Sequence, residues 1–222
     1  MNILFDLDGT LTDPFEGITK CISHALCMLG KTSPPVENMK WCIGPPLKKS
    51  FSLLLASDDE QLAEKALTIY RERFGLVGLF ENEIYQDIPE VLKTLKGMGH
   101  TLYVATSKPT VYAQRIIEHF GLLRYFRRVY GSELDGTRCD KSSLISYILQ
   151  KEMIPSSETF MVGDREHDII GAKANGVYSI GVLWGYGTQK ELDNSNANAC
   201  VRKPQALISL MKKMIPPKKT RD

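Results

Sequence analysis

A chain of 222 residues, 43% hydrophobic and 24% charged, has the apolar content for one medium domain or for a core with a smaller inserted unit. Its formal net charge of +2 is too small for the electrostatic footprint of a nucleic-acid binder. No apolar stretch approaches the ~20 residues of a membrane-crossing helix, and the first apolar run is too short, with no basic start, for a signal peptide.

Five cysteines, Cys21, Cys27, Cys42, Cys139 and Cys200, show neither CxxC nor metal-ligand spacing, and none opens a CxxxxxR loop. An odd, unpatterned set reads as reduced thiols packed as small core residues, which predicts a cytoplasmic protein.

The first predicted strand is "NILF" (2–5), and it runs straight into Asp6 and Asp8, with Gly9, Thr10 and Asp13 close behind. Carboxylates at the end of a buried strand repel each other and lose hydration, a cost that a cation, a protonated partner or simple exposure at the strand tip can offset. From Pro14 to Phe80 the pattern is helical throughout. Ile18, Cys21, Ile22, Ala25, Leu26 and Leu29 share one helical face, and "DDEQLAEKALTIYRERF" opens with acids and continues through Leu62, Ala66, Ile69 and Tyr70. The Pro-rich stretches "KTSPPVEN" and "IGPPLKKS" separate the helices.

After this insert, apolar runs and amphipathic stretches alternate. A helix is predicted over 89–98, a strand over 101–106, a helix over 109–120 and a weaker strand over 128–131. Then come a helix over 141–151, strand 159–163, helix 166–175, strand 178–184 and helix 204–214. Continuous apolar strands alternating with helices predict an α/β fold, a Rossmann-like parallel sheet covered on both faces, with an all-helical unit inserted after its first strand. The implied domains are 1–13 with 81–222, and 14–80. The basic tail "KKMIPPKKTRD" reads as a solvated end.

In an open parallel sheet, ligands bind beyond the carboxyl ends of the strands. The residues there are Asp6 and Asp8; Thr106, Ser107 and Lys108 in "ATSKP"; and Asp164 and Asp168 in "VGDREHD", while Lys141 opens the helix before the last of these strands. Acids on two loops suit a hard cation such as Mg²⁺, which takes one or two carboxylates plus waters and phosphate. A carboxylate can serve as nucleophile toward phosphorus, and a second acid can protonate the leaving oxygen and then activate water. A hydroxyl and a lysine can hold the equatorial oxygens, where charge spreads in the transition state.

"DLDGTLTD", "ATSKP", "DKSS" and "GDREHD", in that order, resemble the four motifs of the haloacid dehalogenase superfamily of phosphatases. The resemblance implies Asp6 as nucleophile and metal ligand. It implies Asp8 as general acid/base, giving its backbone carbonyl to the metal. Thr106 and Ser107 would bind the phosphoryl group, with Lys108 beside them, and Lys141 would orient the nucleophile. Asp164 would ligate Mg²⁺, and Asp168 would hold the metal's water shell or position Lys141. The second acid, Asp8, argues against a true dehalogenase. The insert at 14–80 resembles the family's mobile cap, with a substrate loop near Gly44, Pro45, Pro46 and Leu47 and a hinge from Pro14. "GITKCISHAL" and "IGPPLKKSF" look most like the phosphoglycolate phosphatase group and its bacterial 5′-nucleotidase branch.

The expected activity is Mg²⁺-dependent hydrolysis of a small phosphate ester, a nucleoside 5′-monophosphate or phosphoglycolate, through a phospho-aspartate. The alternatives are a sugar-phosphate phosphomutase resembling β-phosphoglucomutase and a non-catalytic metal- and phosphate-binding protein. The expected partner is that small molecule, with no nucleic-acid polymer and no membrane, and the expected state a monomer or small homo-oligomer. Other residues receive bland readings. Lys48 and Lys49, His24, and Arg71 and Arg73 are read as solvated faces of the insert, and Asp13 as a helix cap. Arg165 and His167 are read as rim residues, and His100 and His119 as helix ends. Gly181, Gly185 and Gly187 do not make GxGxxG and are read as a turn.

Overall fold

Ile3, Leu4 and Phe5 offer no polar face, so the strand they form must be covered on both sides, and it is. A computed structural model describes residues 1–214; the end of the basic tail, 215–222, lies outside the described residues. β1 (Asn2–Phe5) pairs in parallel with β4 (Thr101–Pro109) on one side and β6 (Thr159–Gly163) on the other. Outside them lie β5 (Arg128–Ser132) next to β4, and β7 (Tyr178–Val182) followed by β8 (Ala199–Val201) next to β6.

Side chains alternate between two buried layers. Leu4, Tyr103, Ala105, Tyr130 and Met161 pack with α6 (Lys141–Glu152) and α7 (Glu166–Ala174), through Leu144, Ile145, Ile148 and Ala172. Ile3, Phe5, Leu102, Val104, Val162 and Ile180 face α4 (Ile88–Gly97), α5 (Thr110–His119) and α9 (Gln205–Met214). The predicted strands and core helices are therefore present, each within a residue or so of its expected limits, except that two strand ends shift further. β4 runs on through Pro109, and β7 stops at Val182, where the chain turns.

Four of the core's helices and strands were not predicted: two-residue strands at Thr12–Asp13 and Glu83–Ile84, and two later elements. α8 (Gln189–Asn194) is too short for a helical period to register, and β8 is an edge strand of only three residues, Ala199–Val201, too short a run to stand out.

The segment between the first strand and the rest of the sheet is helical. It holds α1 (Phe15–Met28), a 3₁₀ stretch Val36–Cys42, α2 (Leu47–Leu55), α3 (Glu60–Arg73) and a π turn Phe74–Gly78. Ile18, Cys21, Ile22, Ala25 and Leu26 of α1 are buried, as the periodicity predicts. In α3 the buried face is Ala63, Ala66, Leu67 and Tyr70; Leu62 and Ile69 lie at its margin, a correction of one position to the expected stripe. The Asp59 carboxylate caps α3, accepting from the amides of Gln61 and Leu62. The chain leaves the core through β2 (Thr12–Asp13) and returns through β3 (Glu83–Ile84), which pair antiparallel and clasp the two ends of the insert together.

Candidate active site

Asp6 follows β1 directly, and its amide donates to the Val162 carbonyl at 2.9 Å, fixing it between β1 and β6. The chain then doubles back in a tight turn, with the amides of Leu11 and Thr12 both donating to Leu7 O. That turn holds the Asp8 side chain on the same edge as Asp6. On β4 the ladder is irregular: Ala105 pairs with Tyr130 and Pro109 with Ser132, so Thr106–Lys108 bulge out of register toward the acids. Lys141 is the first residue of α6, which Asp140 caps by accepting from the Ser143 amide at 2.9 Å. Asp164 follows β6, and Asp168 reaches back so that its Oδ2 accepts from the Arg165 amide at 3.1 Å.

These placements bring the predicted residues together. Asp6, Asp8, Thr106, Lys141, Asp164 and Asp168 are all buried. Lys141 Nζ lies 2.8 Å from Asp6 Oδ1 and 2.6 Å from Asp168 Oδ1, and it donates to the Ala105 carbonyl at 2.8 Å. Lys108 Nζ lies 2.9 Å from Asp8 Oδ2. Thr106 Oγ1 accepts from the Lys108 amide, and the Ser107 carbonyl accepts from the Ser132 hydroxyl at 2.9 Å. Lys108 is thus the partner of Asp8, and Lys141 the partner of Asp6 and Asp168.

Burial sets the electrostatics. It pushes the Asp164 carboxyl well above the usual carboxylate range, helped by Asp168 and Asp6, against the opposing pull of the Tyr186 amide. Asp168 is pushed up to about 6 by burial, although Lys141 pulls the other way. Burial alone would lower the Lys141 ammonium, but Asp168 and Asp6 outweigh it and raise it. Asp8 is raised by burial against the opposing pull of Lys108.

Asp6, Asp164 and Asp168 each offer one carboxylate oxygen, all within 4.8 Å of one another. Three buried acids at that spacing, with one lysine among them, are an oxygen-ligand set of the kind a hard divalent cation takes. The Asp8 carboxylate lies against Lys108 and is not one of the three clustered side chains, in keeping with an expected contribution through its backbone carbonyl.

Sequence reading missed the loop after β7. The Tyr186 amide donates to Asp164 Oδ2 at 2.8 Å, the Trp184 indole donates to the Thr10 carbonyl at 3.0 Å, and the Tyr186 hydroxyl meets Asp13. Gly185 and Gly187, read as a plain turn, are there because nothing larger fits. A Cβ on Gly187 would stand 1.8 Å from the Asp164 carbonyl, and one on Gly185 would stand 2.2 Å from the Gly9 carbonyl. Two indole- or phenol-bearing residues between glycines just past a strand were the available signal. Asp13 stands one residue before the N-cap of the insert's first helix, Pro14, and accepts from the Phe15 amide at 3.0 Å. His24 is exposed, as expected, and His119 is the last residue of α5, a helix end as expected; His100, just after α4, is buried.

Over the acids lies a cavity of about 620 Å³ between the sheet edge and the helical insert. Asp6, Asp8, Thr106 and Lys108 form its floor, and Gly44–Lys49 of the insert form part of its wall. Phe74, Tyr70 and Tyr112 add an aromatic side, with Phe74 stacked on Tyr70 at 5.2 Å and Lys108 4.5 Å above the Phe74 ring.

The chain belongs to the haloacid dehalogenase-like hydrolases, whose pattern it matches over residues 3–182. Within that family it is a phosphatase by kinship. A 5′-nucleotidase from Pseudomonas aeruginosa is 51% identical over 191 residues, 86% of each chain. A phosphoglycolate phosphatase from Colwellia psychrerythraea is 26% identical over 89% of this chain and 91% of its own. The tyrosine-protein kinase PtkA of Mycobacterium tuberculosis is 35% identical over 87% of this chain, which spans 66% of that protein. Among solved structures, that of a predicted phosphatase from Clostridium acetobutylicum superposes with a TM-score of 0.91 at 42% identity, covering 96% of this chain and 98% of the other. Among the described residues no helix is long and apolar enough to cross a membrane.

Proposed function

We propose that this phosphatase hydrolyses nucleoside 5′-monophosphates with Mg²⁺, through a phosphorylated Asp6. The observation that carries the substrate choice is the cavity above Asp6. At about 620 Å³, with Tyr70, Phe74 and Tyr112 on one side and charged residues such as Lys48, Lys49 and Arg71 elsewhere on its wall, it suits a ligand of nucleotide size. Phosphoglycolate, a two-carbon acid, would leave most of it empty. The 5′-nucleotidase from Pseudomonas aeruginosa supports the same choice.

In this reading Asp6 attacks phosphorus, the P–O bond to the nucleoside breaks, and Asp8 delivers a proton to the departing oxygen. Asp8 then takes a proton from the water that attacks the phospho-aspartate, releasing phosphate and restoring both carboxyls. Burial, by raising the Asp8 carboxyl, favours its carrying a proton, and Lys108 fixes its orientation through Oδ2. Lys141 holds Asp6 Oδ1 in place and keeps Asp168 from repelling it. Thr106 and the neighbouring main chain receive the phosphoryl oxygens. Asp6, Asp164 and Asp168 would hold Mg²⁺, which when bound offsets the negative charge between nucleophile and phosphate.

The segment 14–80 serves as a cap over a core made of 1–13 and 81–222, swinging on the β2–β3 clasp. The five unbridged cysteines support a reducing, cytoplasmic setting. The test is phosphate release from nucleoside 5′-monophosphates, phosphoglycolate and an aryl phosphate, with Mg²⁺, with chelator and with Asp6→Asn. The expected result is Mg²⁺-dependent release that the substitution abolishes, with kcat/KM highest for a nucleotide. Activity surviving both chelator and Asp6→Asn overturns the mechanism; a preference for phosphoglycolate overturns the substrate.

A further inference from the structure

Arg165 sits inside the acidic motif but faces away from the acids. Its main-chain amide holds Asp168 Oδ2, while its side chain reaches across to the insert, where Nη1 donates to the Ile43 carbonyl at 2.5 Å. Nε donates to Glu191 Oε1 at 2.8 Å. Glu191 is itself fixed, because the same oxygen accepts the Glu166 amide at 3.0 Å. The guanidinium therefore has one partner anchored in the core and one on the cap, and it is largely buried.

The cap side is shaped to receive it. Gly44 has φ +106°, a conformation that L side chains rarely adopt, and a Cβ there would stand 3.0 Å from Arg165 Cγ and 3.2 Å from Nη1. Gly44 is followed by Pro45, Pro46 and Leu47, all cavity wall. Two further arginines bridge cap and core, Arg71 to the Leu134 carbonyl at 2.8 Å and Arg115 to the Gly75 carbonyl at 2.7 Å. Arg165 differs from both in that its own main chain holds a carboxylate of the acidic cluster.

The geometry points to Arg165 as a positioning residue that latches the Ile43–Leu47 loop over the catalytic acids, with Glu191 as its fixed anchor. This rests on the cap reading given above. The latch ties the wall against which the leaving group packs to the loop carrying Asp164 and Asp168, so cavity closure and acid geometry are set together. A lysine cannot replace it, because an ammonium lacks the planar fork that serves Ile43 O and Glu191 at once.

The test compares wild type with Arg165→Met, Arg165→Lys and Glu191→Gln by hydrogen exchange and steady-state kinetics. In Arg165→Met, exchange in the peptide covering 40–47 accelerates roughly tenfold, as expected for a lost charge-assisted hydrogen bond, while peptides covering 6–12 keep their protection. KM for a nucleoside 5′-monophosphate rises by a similar factor, roughly tenfold, and the aryl phosphate, with its smaller leaving group, loses less. Arg165→Lys recovers only part. If Arg165→Met does not fold, Glu191→Gln carries the same pattern at smaller size. Unchanged exchange over 40–47, or equal loosening of 6–12 and 40–47, overturns the latch. A wild type inactive on nucleotides overturns the substrate reading instead, and the exchange result still decides the latch.

Discussion

Replacing Lys141 by Met keeps an unbranched chain of similar length and removes one buried ammonium. Lys141 Nζ is within 2.8 Å of Asp6 Oδ1, Asp168 Oδ1 and the Ala105 carbonyl, and the residue is 5% exposed. Without it, Asp6, Asp164 and Asp168 remain buried near one another with no counter-charge in contact. Removing one partner of a buried ion pair costs about 3–5 kcal/mol. Set against a typical total stability of ~5–15 kcal/mol, that is a large fraction. At about 2–4 °C per kcal/mol for a chain of this size, melting in chelator falls by roughly 6–20 °C. Saturating Mg²⁺ recovers part of the loss, because a cation bound to the folded acids stabilises them by mass action. Asp168→Asn in the same chain recovers part of it too, by removing one of the repelling charges. Phosphatase activity drops by about 10²-fold or more, as for a nucleophile left misplaced by the loss of its positioning partner. Thermal melts followed by circular dichroism, with chelator and with Mg²⁺, read all of this. If Lys141→Met melts within about 2 °C of wild type in chelator, the ion pairs do not carry the site's stability and the reasoning fails.

Gly187→Ala places a methyl 1.8 Å from the Asp164 carbonyl and displaces the Tyr186 amide from Asp164; Mg²⁺ affinity measured calorimetrically falls roughly tenfold or more, as for other lost supports of a metal carboxylate. Gly97→Ala, on α4 with nothing near its new methyl, serves as the control and leaves metal affinity unchanged. His100 is buried, and desolvation with repulsion from the Met1 ammonium lowers its pKa below the ordinary 6.5, against a weaker opposing contact to the Met1 main chain. The unfolded chain therefore takes up a proton before the folded one does, so stability declines as pH falls from 6.5 toward the folded pKa. His100→Gln flattens that decline in urea titrations either side of pH 6.5, and an unchanged slope refutes the assignment.

The sheet was legible because its strands are short unbroken apolar runs, and a run buried on both faces leaves no alternative. The acids were legible because sequence order in a parallel sheet maps onto one edge: whatever follows β1, β4 and β6 must meet there. What escaped notice has a different physics. Lys108 pairs with Asp8 only because β4 bulges between Ala105 and Pro109, and a two-residue irregularity leaves no periodic trace. Asp164 depends on the Tyr186 amide, and any residue but proline carries an amide, so nothing in the side-chain pattern marked it. Arg165 was read as rim because its partner is the Ile43 carbonyl, equally invisible in sequence. Contacts to the main chain are made by geometry alone, and a sequence shows only half of each.

β1 is the first strand made and lies in the middle of the finished sheet, held by β4 on one side and β6 on the other. During synthesis its apolar residues must therefore wait for residues 159–163 before both edges are paired. Until then Asp6 and Asp8 lack the partners that the finished sheet edge gives them, Lys141, Asp164 and Asp168. The insert, made of sequence-local helices, can fold in the interval. The proposed cation site would thus be completed only when β6 docks and brings Asp164 and Asp168 to Asp6. If the acids hold a divalent cation as proposed, its binding can be followed as a clock for the docking of β6 and the loop after β7.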